Sequence, residues 1–159
     1  MLEILTPLVK VERVSRAIDP SNFVAAPGIW AALDSSGSLA NVSTGVESGL
    51  RKLVIGSASS NVYESHDVEV GRITTMESFG VRVKVDSEGF VHTMVQGDFL
   101  VVSAASGEEG KLVAVSQAAA GTYYRVAQVE EVGSDGTITF RTITPSIVTS
   151  TGEESSSSS

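Results

Sequence analysis

The run Val81-Arg82-Val83-Lys84-Val85-Asp86 places valine at every second position with a charged residue after each. Successive side chains of a strand face opposite ways, so this run has one apolar face and one polar face. That is the pattern of a half-buried antiparallel strand. The rest of the chain is built from the same material, with 23 valines, 24 serines and 15 glycines. Valine is stiff at χ1 and favours strands, whereas serine and glycine favour turns. The expectation is an all-β chain: a small antiparallel β-barrel or β-sandwich with an extended N-terminal arm and a disordered Ser-rich C-terminal tail.

Apolar runs predict further strands over residues 29–33, 38–42, 52–56, 90–95, 99–103 and 111–115. Residues 67–75 read as a strand with a bulge near Gly71, and 123–132 as a bulged strand. Val9 and Val11 flank Lys10 at strand spacing and predict a strand in the arm. Residues 44–53 are ambiguous: Leu50 and Leu53 have helical spacing, but Gly45 and Gly49 weaken any helix. Asp34–Gly37, Asp86–Gly89 and Asp135–Gly136 punctuate the chain as turns. Asp bonds its own downstream backbone there, and Gly adopts positive φ freely. The predicted organisation is an arm over 1–20, a β domain over 21–145 and a flexible tail over 146–159. The β domain is either one unit or two small lobes divided near 56–65.

Cysteine is absent, which excludes disulfides, thiolate metal sites and thiol nucleophiles. The net charge of −8 disfavours nucleic acid and anionic membranes as partners. No secretory signal is recognisable at the start and no apolar run is long enough to span a bilayer, so the sequon at Asn41 is discounted. Gly110-Lys111 has the ending of a phosphate loop, but Ala105 stands where its first glycine belongs and Leu112 where Ser or Thr belongs. His92 stands alone on its segment. Glu64 and His66 would share one strand face, with Asp67 and Glu69 on the other, which does not gather ligands on one metal. Glu108-Glu109 and Glu130-Glu131 put adjacent carboxylates on opposite strand faces, unlike a glycosidase pair. Trp30 reads as a core anchor. No catalytic residue, cofactor or metal is expected.

The C-terminal half carries a family resemblance. It reads Gly97-Asp98-Phe99-Leu100-Val101-Val102-Ser103, then Gly110-Lys111-Leu112-Val113, then Val126-Ala127-Gln128-Val129. An acidic turn and a closing strand, Asp135 to Ile143, follow. This succession resembles tailed-bacteriophage capsid decoration, or cement, proteins. The resemblance implies a small β domain, often trimeric, seated on the outer surface of the phage head against the major capsid protein, with no active site. It also implies synthesis in the host cytoplasm and residence in the virion. Leu5, Val9, Val11 and Val14, where apolar and charged residues mix in the arm, are the expected partner-binding residues. Other virion parts (tail tube, head fibre, receptor-binding subunit) share the composition. So does a bacterial surface or carbohydrate-binding β module.

Overall fold

The computed structural model describes residues 2–18, 26–42, 51–56 and 72–152. Eleven strands are present among them: β1 (Leu2–Ile4), β2 (Arg13–Ala17), β3 (Trp30–Leu33), β4 (Leu39–Ala40), β5 (Lys52–Gly56), β6 (Arg72–Met76), β7 (Arg82–Val85), β8 (Phe99–Val102), β9 (Leu112–Ala114), β10 (Gly121–Val132) and β11 (Ile138–Ser150). They form two antiparallel sheets, one of six strands in the order β1-β7-β11-β10-β8-β9 and one of five in the order β2-β6-β5-β3-β4. The fold is the expected all-β one.

Alternation decides what each strand buries. Val81, Val83 and Val85 are at most 1% exposed, while Arg82 and Lys84 face outward in part. With Leu2, Ile4, Leu100, Leu112, Val129 and Phe140 they make the inner face of the six-stranded sheet. Trp30, Ala32, Leu53, Ile55 and Met76 from the five-stranded sheet pack against that face in one shared core. The Trp30 and Phe140 rings meet there with centroids 6.5 Å apart. Each buried Val, Leu, Ile, Phe or Met among them contributes about 1.5–3 kcal/mol relative to exposure.

The alternate residues of the five-stranded sheet are apolar too. Ala31, Val54 and Ile73 gather with Ile18 and Leu39 in a second cluster. An isolated parallel bridge between Ile18 and Leu39 explains it. It draws the β2 and β4 edges together, curling this sheet into a half-barrel with an interior of its own. On the six-stranded sheet, Val101, Val113, Ala118 and Tyr123 form a third cluster on the outer face. The expected bulges in β10 are present, with register shifts between Arg125 and Ala127 and between Val129 and Glu131. The first brings Val126 and Ala127 into the shared core together.

Several expectations change. Residues 8–10 form a turn of 3-10 helix, not a strand, closed by a bond from Lys10 N–H to the Pro7 carbonyl (2.9 Å). Pro7 has the fixed φ that starts such a turn and no N–H to offer a ladder. The arm does not stand apart, since β1 pairs with β7 and β2 with β6. Residues 90–95 do not return as a strand. Both edges of β7 are occupied, by β1 and β11, so a third partner has no ladder to join. Asp86 instead caps a 3-10 turn over Ser87–Gly89, accepting from Glu88 N–H (3.1 Å), and His92 sits at φ +66°. The strand β11 continues to Ser150, past the expected start of the tail. The expected bulge near Gly71, the ambiguous stretch 44–50, the boundary at residue 20 and the stretch 57–65 lie outside the described residues.

Candidate partner-binding surface

The first connection, residues 5–12, crosses from β1 in one sheet to β2 in the other. The connection 77–81 crosses back from β6 to β7. The two run alongside each other and are bonded at both ends. Leu5 N–H donates to the Arg82 carbonyl (2.9 Å) and Arg82 N–H to Thr6 Oγ1 (2.9 Å). Glu77 N–H donates to the Glu12 carbonyl (2.9 Å), and Glu12 N–H to Ser78 Oγ (2.6 Å).

Glu77 anchors one end of this seam. Its Oε2 accepts from Arg16 Nε (2.5 Å) and Thr75 Oγ1 (2.8 Å), its Oε1 from Arg16 Nη2 (2.9 Å) and Lys52 Nζ (3.4 Å). Burial works against its ionisation, but the bonds from Arg16 and Thr75 and the charges of Lys52 and Arg16 outweigh it. The carboxyl is held below its ordinary range. Thr142 fixes the other end, donating to the Ser78 carbonyl (3.1 Å) and accepting from Val81 N–H (3.0 Å).

From this paired crossing, Leu5 (38% exposed), Val9 (89%) and Phe79 (53%) project into solvent. The other two residues expected at the partner surface are placed differently. Val11 is buried in the shared core, and Val14 is half-buried on β2 opposite Thr75. Phe79 was missed, because its only signal is a large aromatic set between Ser78 and Gly80 in a turn.

The remaining candidates separate. Glu130 bridges Arg141 (2.6 Å) and Arg82 (2.8 Å), which together hold its carboxyl below the usual range. Its neighbour Glu131 points to solvent. Glu108 and Glu109 accept bonds within their own loop, from Ser103 Oγ (3.3 Å) and Gly107 N–H (3.1 Å). His92 is exposed, while Glu64, His66, Asp67 and Glu69 lie outside the described residues. Trp30 is in the core. Among the described residues no group of three or more His, Asp or Glu side chains could hold a metal ion, and no helix is long and apolar enough to cross a membrane. No family model matches the chain, and neither a curated protein nor a solved structure does.

Proposed function

We propose that this chain is a capsid decoration protein, a trimer that binds the outer surface of a tailed-phage head and reinforces the lattice of its major capsid protein. The observation that carries the reading is the apolar trio Leu5, Val9 and Phe79. Large apolar side chains are held in solvent there on a doubly crossed, hydrogen-bonded seam. A seam tied at both ends loses less conformational freedom on docking than a free arm would, so more of the apolar contact is retained as affinity. Each contact is modest alone. In a trimer the second and third contacts are effectively intramolecular, and dissociation has to break all of them together. A cap on the outside of a shell has no need to touch the genome, which suits a net charge of −8.

The test is co-sedimentation with empty heads of the parent phage, alongside the mass of the free protein by light scattering. The wild type is expected to be trimeric and to pellet with heads. The triple variant Leu5→Asp, Val9→Asp, Phe79→Asp should keep the wild-type circular dichroism and lose at least about tenfold in affinity, as removal of a docking cluster does. A wild type that stays monomeric and ignores the heads overturns the reading. Hexameric rings or rods in negative stain replace it with a tail-tube role.

A further inference from the structure

Arg16, Arg82 and Arg141 each hold a carboxylate, that of Glu77 or Glu130. Arg125 holds none among the described residues. Its Nε and Nη2 both donate to Ser146 Oγ (3.0 and 2.8 Å). Its guanidinium carbon lies 4.6 Å from the centre of the Phe99 ring, a cation–π contact. A guanidinium has five N–H donors, so three here, including both on Nη1, have no partner among the described residues.

The strands set this pair up. Tyr123 belongs to the outer cluster of the six-stranded sheet, and Arg125, two residues on, shares that face. The bulge that follows turns Val126 and Ala127 inward together. Ser146 is the register partner of Arg125 on β11, and Phe99 comes from β8 on the other side. Arg125 and Phe99 line an open groove of about 340 Å³ together with Ala114, Val115 and Val148. Asp98 is the carboxylate in its walls. It accepts from Val95 N–H (2.8 Å) within its own turn and makes no ion pair with Arg125.

A guanidinium held on one face and one edge loses little rotamer freedom on binding, and its remaining donors suit a planar carboxylate. A neutral sugar fits less well, because Arg125 covers a face of Phe99 on which a sugar ring would stack. A run of phosphates also fits less well. It would meet one arginine, the rim carboxylate of Asp98 and a chain of net charge −8. We propose that this groove docks an acidic segment of a partner protein. One Glu or Asp carboxylate sits on Arg125, and an adjoining apolar side chain packs against Val115 and Val148. The groove shares no residue with the Leu5, Val9 and Phe79 surface. The proposal is independent of the decoration reading, since it needs neither a trimer nor a capsid.

The test titrates the ¹⁵N-labelled full chain with a blocked Val-Glu-Val tripeptide and with its Val-Gln-Val and Gly-Glu-Gly counterparts, at constant ionic strength. Val-Glu-Val should shift the Arg125 Nε–H and the Phe99, Val115 and Val148 amides together, with saturation. Val-Gln-Val should bind about tenfold more weakly, the loss expected for one charge-assisted bond. Gly-Glu-Gly should also bind more weakly, for want of the apolar contact. Arg125→Gln should bring Val-Glu-Val down to the level of Val-Gln-Val. Should Arg125→Gln not fold, the three peptides on the wild type decide alone. Equal binding of Val-Glu-Val and Val-Gln-Val, or shifts confined to other parts of the molecule, overturns the proposal. So does tighter binding of inorganic phosphate or of a single-stranded oligonucleotide. Self-association that is lost in Arg125→Gln also overturns it, by giving the groove to a second copy.

Discussion

Gly110 lies where the loop before β9 touches β3, and replacing it with alanine tests how closely the two sheets are held. Its carbonyl accepts from Trp30 N–H (2.8 Å) and its own N–H donates to the Ser103 carbonyl (3.0 Å), so it is a backbone tie between the sheets. Its φ is +85°, and a Cβ there would stand 2.5 Å from Ile29 Cγ2 and 2.5 Å from the Trp30 carbonyl oxygen. Gly107, in the same loop, has the same φ of +85° but nothing within 4 Å of its Cβ position. The two glycines therefore separate two costs. Gly107→Ala carries only the left-handed backbone, about 1–2 kcal/mol. Gly110→Ala carries that and must also push the β3 backbone against a packed core, which adds about 1–3 kcal/mol. For a urea slope of about 1–3 kcal/mol/M, the extra cost separates the two midpoints by roughly 1 M. Urea unfolding followed by Trp30 emission measures it, because the only tryptophan sits at the tie. Coincident midpoints for the two variants would refute the reasoning. The sheets would then have slack that the geometry denies.

Two further outcomes follow from the seam. Glu77→Gln should cost about 1–3 kcal/mol at neutral pH, by weakening the charge-assisted bonds from Arg16 and Lys52. The folded carboxyl is held below its ordinary value. The stability it adds is therefore full above the unfolded pKa and lost as pH falls through the folded one. Wild type and variant should converge in acid, and a constant gap in Tm down to low pH would disprove the assignment. Thr142→Val should cost about 1–3 kcal/mol by leaving the buried Val81 N–H and the Ser78 carbonyl without partners, and an unchanged melting curve would count against it.

Where the side-chain pattern itself dictates structure, the sequence was enough. Valine at alternate positions marks β7, and β8 and β9 pair across the loop that separates their apolar runs. Gly136 at φ +88° turns β10 into β11 as its Asp-Gly signal requires. Partner choice was not legible. Alternation says which side chains face inward but not which neighbour takes each edge. The 90–95 return therefore looked plausible until β1 and β11 occupied both sides of β7. Val11 shows the same limit at the candidate surface. Its spacing matches that of Val9, yet the 3-10 turn after Pro7 sends one into the core and leaves the other in water. Gly110 looked like half of a phosphate loop. Its requirement for glycine comes from a backbone distant in sequence, which no local motif records.

In the six-stranded sheet, β11 lies between β7 and β10, and β1 reaches the sheet only through β7. During synthesis, β1 and β7 therefore leave the ribosome long before the strand that joins them to the rest. Pairings so far apart along the chain close slowly. Until residues 138–150 emerge, an apolar half-sheet waits uncovered, and a nascent chain in that state is exposed to aggregation and to proteases. Assembly of this molecule is thus gated by completion of its translation, and truncations that remove β11 should yield insoluble product rather than a smaller folded protein.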